Sequence, residues 1–365
     1  MLHKSRLLFI VPSMRGGGAE RVVATLLQHL SPERFDLYLA LISKEGKFLE
    51  EIPSHVSVID LDARRVRHSV FKIVKTLKAV EPDIVFSTLG HLNVLISIMR
   101  PFLPKRMVFI GRESNTVSVI NKQSRYPKLF DFLYRHFYNN FDHIVAQAEY
   151  MKRDMVENYR IRDAKVTVIN NPVDFGRIAA LSGETPEVAF DPDKINLLAV
   201  GRLSHQKGFD TLIEIVSDLS EEYVLHILGE GPDASKLEAM IETLGLGSRV
   251  KLLGFQNNPY AYMSRADVFV LSSRFEGFPN VVLEANACDT PVVAFDCPGG
   301  TGEIIVSGKN GYLARCQDKE AFIDKLKEVT KGTGVDRSLL QKYEVSHIVA
   351  RYEALYEDCL KEKMR

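Results

Sequence analysis

No run of about twenty apolar residues, the length a helix needs to cross a bilayer, occurs in this 365-residue chain. Segments such as Leu7 to Val11 and Val94 to Met99 are strand-sized or short-helix-sized. Cysteine is scarce. Cys288, Cys297, Cys316 and Cys359 form no Cys-x-x-Cys pair and no metal-ligand spacing, which excludes a disulfide scaffold and leaves neither a metal nor another cofactor expected. No cleavable leader is evident, because Met1-Leu2-His3-Lys4-Ser5-Arg6 runs straight into the first strand. The expectation is a cytoplasmic protein with reduced thiols. Net charge is also absent, 47 Lys and Arg standing against 47 Asp and Glu, but the balance is uneven along the chain. Residues 1–175 carry 26 basic and 18 acidic side chains, and residues 176–365 carry 21 and 29. The basic half is suited to an anionic surface. With no helix-turn-helix, zinc or RNA-binding signature, nucleic acid is not an expected partner, and a membrane surface or lipid phosphate fits better.

What is present is alternation. Apolar strand-like runs begin near Leu7, Leu37, Val56, Ile84, Met107, His143 and Val166, and again near Asn196, Val224, Val250, Val268, Val292 and Tyr312, with amphipathic helical patterns between most of them. Strand–helix alternation implies parallel sheets covered by helices, and a chain of this length divides into two cores. The expected architecture is α/β: two Rossmann-like, doubly wound domains facing a central cleft at the carboxyl ends of their strands. The expected borders are 1–179 for the first domain, a polar, proline-bearing linker at 180–194, a second domain at 195–345, and a terminal helix at 346–365 packing back on the first.

Chemistry concentrates at strand ends. After the strand near Val268 comes Ser272-Ser273-Arg274-Phe275-Glu276-Gly277-Phe278-Pro279-Asn280-Val281-Val282-Leu283-Glu284, in which Glu276 and Glu284 flank seven residues. Pro279 suits the first turn of a helix, whose free N–H groups and dipole favour an anion. Glu276 then lies in a loop, and Glu284 one to two turns into the helix. After the strand near Asn196, Arg202 ends a strand and Lys207 opens a helix in Gly201-Arg202-Leu203-Ser204-His205-Gln206-Lys207-Gly208-Phe209-Asp210. Cations at a helix start oppose the dipole, and a bound diphosphate would offset that, with Arg202 forking onto oxygens and Lys207 acting as a point charge. A solvated surface pair is the alternative. Gly16-Gly17-Gly18 lets backbone approach a ligand after the first strand, but it lacks the dinucleotide and P-loop spacings, so a bare tight turn is an equal reading. Gly229-Glu230-Gly231-Pro232 and Leu253-Gly254-Phe255 could hold a base or ribose, or be ordinary βα loops.

Taken in order, Gly-Gly-Gly-Ala-Glu-Arg, Gly-Arg-Leu-Ser-x-x-Lys-Gly-Phe-Asp, Gly-Glu-Gly-Pro and the Glu-x7-Glu stretch resemble glycosyltransferase family 4, the retaining enzymes of GT-B fold. The resemblance spans nearly the whole chain and is similar to bacterial enzymes that extend surface polysaccharides or lipid-linked oligosaccharides. It implies a nucleotide-sugar donor, expected to be UDP-linked, and a glycan or polyprenyl-diphosphate saccharide as acceptor. By resemblance, Arg202 and Lys207 bind the donor diphosphate, Glu276 the sugar hydroxyls and Glu284 the ribose. Gly277, Phe278, Pro279, Asn280 and Val281 offer backbone donors, Gly229 and Gly254 line the nucleotide, and Gly16 to Gly18 form an opposing wall. It also implies retention without a metal. A catalytic histidine is expected after the fourth strand, where His91 stands beside the cap candidate Asn93. A merely capping or solvated histidine is the other reading. Arg112 and Glu113 follow the next strand and are candidate acceptor contacts, although a surface turn is the plainer reading. The rivals are a nucleotide-sugar epimerase, and a catalytically silent sugar-nucleotide-binding protein on the same fold.

One segment bears on location. Arg64 to Lys78 holds six Lys and Arg and no acid, with Val70, Ile73, Val74 and Leu77 on one helical face. Such a helix either lies on anionic lipid, at the cytoplasmic face of the inner membrane, or packs its stripe against a sheet.

Overall fold

The computed structural model describes residues 4–329 and 332–364 and comprises two compact units, Met1–Pro172 with Val345–Arg365, and Val173–Glu344. The first unit is built on β1 (Ser5–Val11), β2 (Phe35–Leu41), β3 (Ser57–Asp60), β4 (Ile84–Thr88), β5 (Val108–Arg112), β6 (His143–Ala146) and β7 (Val166–Val168). They form one sheet in the order β3-β2-β1-β4-β5-β6-β7, and every pairing is parallel. The second unit carries β8 (Ile195–Val200), β9 (Tyr223–Leu228), β10 (Val250–Leu252), β11 (Val268–Leu271), β12 (Val292–Asp296) and β13 (Gly311–Arg315), ordered β10-β9-β8-β11-β12-β13 and again parallel. Parallel strands are covered on both faces, which is why Leu7 to Val11 in β1, Ile84 to Phe86 in β4 and the whole of β11 read as apolar runs rather than alternating ones. In each sheet the order reverses beside the first strand, at β1/β4 and at β8/β11. A crevice opens there outside the carboxyl ends, and such switch points are where open α/β sheets take ligands.

The domain borders differ from those expected. The division falls at Pro172/Val173, and the helix Phe175–Ser182 packs on the helices Tyr260–Met263 and Asn280–Ala287 of the second unit. The prolines and acids of residues 180–194 therefore lie within the second unit, where Asn258 Nδ2 donates to Leu181 O and Asn196 Nδ2 to Asp191 O. Polar, proline-rich composition marks exposed backbone, which a surface excursion supplies as well as a linker does. The helix Val345–Met364 belongs to the first unit, with Ile348, Tyr352 and Tyr356 in one core with Leu7, Phe9, Phe35 and Phe86. The rings of Phe9 and Phe86 lie 5.0 Å apart, and Tyr352 meets Phe86 edge-on at 5.9 Å.

The basic segment forms a helix with one buried and one exposed face. In the helix Val70–Val80, Ile73, Leu77 and Val80 are buried, Val70 and Val74 are half-buried, and Phe71, Lys72, Lys75 and Lys78 are exposed. Among the described residues no helix is long and apolar enough to cross a membrane.

Candidate active site

The carboxyl edge of the second sheet gathers the charged residues at the β8/β11 switch point. The loop after β8 ends in the turn His205–Lys207, and the helix Phe209–Ser217 follows Gly208. Gly208 has φ +65°, and a Cβ on it would stand 2.2 Å from Ser272 O, so the loops after β8 and β11 touch through a glycine. Lys207 Nζ donates to Glu276 Oε1 at 2.6 Å, and Ser273 Oγ donates to the same oxygen at 2.6 Å. Glu276 is only 5 % exposed. A carboxylate that far from water requires a partner charge, and Lys207 provides it. Arg202, by contrast, is exposed at the same edge. Sequence spacing thus placed Lys207 and Glu276 at strand ends, and the fold brings them into contact.

The rest of the motif surrounds this pair. The helix Asn280–Ala287 follows Pro279, which sits at its N-cap, one residue outside it rather than in its first turn, and makes no capping hydrogen bond of its own. Glu284 is half-buried on that helix. Glu276 N donates to Pro298 O and Gly300 N to Gly277 O, fixing the loop to the one after β12. The Phe278 ring lies 5.6 Å from Tyr343. Gly229 (φ +138°) donates its N–H to Gly254 O at 2.7 Å, and a Cβ there would meet Gly201 O at 2.0 Å. The turns after β8, β9 and β10 therefore close into one rim, with Phe255 45 % exposed beside it. Two residues that sequence reasoning passed over also belong here. Ser273 holds Glu276, and Arg274 pairs with Asp210 through Nη1–Oδ1 at 2.9 Å and Nη2–Oδ2 at 3.1 Å. Asp210 stood in view in the Gly-Phe-Asp motif, but nothing local in sequence ties it to Arg274.

The first unit has its own polar focus at the β1/β4 switch point. His91 is exposed on the first turn of the helix Gly90–Met99, behind Leu89 at φ +78°, a strained value for leucine of the kind that clusters at functional sites. Its ring makes no cap and lies 5.2 Å from Phe130. Asn93 is no cap either. It is buried, donates Nδ2 to Arg112 O and Glu113 Oε1, and accepts from Ser87.

Arg112 and Glu113 do not form a surface turn. They are 0 % and 3 % exposed and lie in the interior of the first unit. Glu113 Oε1 accepts from Asn93, Tyr134 and Tyr138, while Arg112 donates to Thr88 Oγ1 and Asn171 Oδ1. Burial pushes the Glu113 carboxyl up to about 7, against the pull of Asn93, Tyr134 and Arg112. The glycine turn is also occupied. The position of a Cβ on Gly17 lies 2.4 Å from Glu20 Oε2, so the carboxylate of Glu20 sits over the start of its own helix, Gly18–His29. Burial raises that carboxyl's pKa.

Residues 16–177 match a family model described as Glycosyltransferase Family 4, and residues 184–343 match Glycosyl transferases group 1. Among curated proteins, the chain is 32 % identical over 333 residues to the N-acetylgalactosamine-N,N'-diacetylbacillosaminyl-diphospho-undecaprenol 4-alpha-N-acetylgalactosaminyltransferase of Campylobacter jejuni, covering 88 % of this chain and 89 % of the relative. It is 26 % identical to the lipopolysaccharide 1,6-galactosyltransferase of Escherichia coli, over 90 % of this chain and 89 % of that one. Of solved structures, Anabaena Alr3699/HepE in complex with UDP and glucose superposes with a TM-score of 0.79 at 20 % identity, covering 97 % of this chain and all of the other. That likeness shows the fold, two Rossmann-like α/β domains of GT-B type.

Proposed function

We propose, for a chain that belongs to glycosyltransferase family 4 and is a glycosyltransferase, that it moves a hexose or N-acetylhexosamine from a UDP-sugar onto a glycan or polyprenyl-diphosphate saccharide with retention at the anomeric carbon. The observation that carries this reading is the 2.6 Å contact of Lys207 with the buried Glu276 at the β8/β11 switch point. The names of bacterial envelope relatives, and the UDP bound in a solved neighbour, support the donor and acceptor classes.

The chemistry follows from charge. As the glycosidic C–O bond to the diphosphate lengthens, negative charge grows on the leaving oxygen. Lys207, Arg202 and the start of the helix Asn280–Ala287 meet it, as fixed donors meet any developing oxyanion. The departing phosphate takes the acceptor proton on the same face, so no protein base is obligatory. Glu276 orients the sugar hydroxyls and Glu284 the ribose. An epimerase would change its donor with no acceptor added.

The acceptor side is read from the first unit. The helix Pro127–Phe137 buries only Tyr134, while Leu129 and Phe132 are half exposed and Phe130 touches His91. Phe71 is 87 % exposed among Lys72, Lys75 and Lys78. Aromatic and leucine side chains interleaved with cations suit the interface of an anionic membrane that carries a lipid-linked acceptor.

The test is UDP release across a panel of UDP-sugars, with and without polyprenyl-diphosphate saccharides. Failure to turn over or bind any donor refutes the reading. Glu276→Ala should abolish transfer and leave UDP affinity largely intact. Flotation with anionic vesicles should weaken in a Leu129→Glu/Phe132→Glu variant, and unchanged flotation would remove the membrane from the proposal.

A further inference from the structure

We infer that Arg274 is a positioning residue for sugar transfer, clamping the loop that carries Lys207 to the loop that carries Glu276. The inference rests on the reading of those two as donor-binding residues. Its basis is where the guanidinium's donors go. Nη1 serves Asp210 Oδ1 at 2.9 Å and His205 O at 2.8 Å, and Nη2 serves Asp210 Oδ2 at 3.1 Å and Thr211 Oγ1 at 3.3 Å. Both terminal nitrogens are thus spent on the loop and helix after β8. The charge is spent as well, since the Asp210 carboxylate takes it in a two-pronged pair on partly buried side chains. A cation so engaged is no phosphate ligand, unlike the exposed Arg202 two residues beyond β8.

What the clamp controls is the register of two loops. Arg274 N donates to Gln206 O at 2.8 Å, Gln206 Nε2 to Phe275 O at 3.1 Å, and Ser272 Oγ to Lys207 O at 3.0 Å. These bonds close a seam with Lys207 on one side and Glu276 on the other. Asp210 lies in the first turn of the helix Phe209–Ser217, where its charge is favoured by the dipole, so the anchor is rigid. Without Arg274, that half-buried carboxylate would be left with Lys236 at 3.6 Å as its nearest cation. Lys207 is a point charge on a flexible stem and reaches a diphosphate from a shifted loop. Glu276 orients hydroxyls directionally and does not tolerate the shift.

The experiment compares Arg274→Ala, Arg274→Lys and Asp210→Asn with the full-length wild type, reading kcat and KM by UDP release and the Kd of UDP by calorimetry. Arg274→Ala should lower kcat on the order of 10–100-fold, the cost expected of about 1 Å of misplacement, with the Kd of UDP within about threefold. Asp210→Asn keeps the shape and one acceptor and should fall between Arg274→Ala and wild type, and Arg274→Lys should recover part of the loss. Wild-type kcat in Arg274→Ala overturns the inference and leaves the donor reading standing. A parallel fall of kcat, UDP affinity and melting temperature also overturns it, since that marks a merely structural brace. Undiminished transfer by Glu276→Ala overturns the donor reading, and the inference with it.

Discussion

Glu113→Gln isolates one buried ionisation in the first unit. The carboxyl is enclosed by Asn93, Tyr134 and Tyr138 on Oε1, and the groups whose charges reach it are Arg112, which favours the ionised form, and Asp154, which opposes it. Burial outweighs the hydrogen bonds and lifts the group from 4.5 to about 7. Between those values the folded chain holds a proton that the unfolded chain has lost. The fold therefore binds more protons, and stability must fall as pH rises through that window and level off above about 7. A displacement from 4.5 to about 7 is worth roughly 3 kcal/mol. Glutamine preserves the shape and the acceptor oxygen but cannot ionise. Because the chain has two units, the measurement should be local, using native-state hydrogen exchange at the amides of Ile110 and Gly111 in β5, corrected for intrinsic rates, from pH 4.5 to 8. The wild-type protection free energy should decline across the window by a few kcal/mol relative to Glu113→Gln, and the two should run parallel above it. Parallel profiles throughout, or a wild type that gains stability with rising pH, would refute the reasoning.

The second unit should respond in the opposite sense. His226 stacks on Phe190 at 4.1 Å, its Nδ1 is buried without a partner, and burial lowers its pKa to about 4, so stability should be lost as pH falls from 6.5 towards 4, and His226→Gln should flatten that loss in acid-unfolding curves. Gly208→Ala sets a Cβ against Ser272 O in a left-handed conformation, and should cost at least ~1–3 kcal/mol and raise the donor KM, as read by thermal unfolding and kinetics. Burial drives the thiols of Cys288, Cys297 and Cys359 up to about 12, so native labelling with a thiol reagent at pH 8 should modify only the half-exposed Cys316, and Cys316→Ser should remove it.

The strands were legible because parallel sheets bury both faces and leave contiguous apolar runs. Each of β1 to β13 overlaps a run read from the sequence. The errors share one cause, that composition reports solvent exposure and not connectivity. Residues 180–194 look like a linker because they are exposed, while the border at Pro172/Val173 carries no such mark. Arg112-Glu113 looks like a surface turn because charged residues are rarely interior, yet the surrounding hydroxyls and amides make an interior place for them.

The site divides along the same line. Glycines and charges at strand ends were visible, because βα loops are where an open parallel sheet can present chemistry. Which charge answers which was not, since Lys207 meets Glu276 across 69 positions and Arg274 meets Asp210 across 64. Periodicity informs on a residue's face, and only the strand order β9-β8-β11 brings the two loops together. That order also separates the roles of neighbouring cations. Arg202 and Arg274 are the same residue type at adjacent strand ends. One stands in solvent, and the other has both terminal nitrogens consumed by its own scaffold. Loss of Arg202 should therefore weaken UDP binding itself, and loss of Arg274 the transfer that follows it.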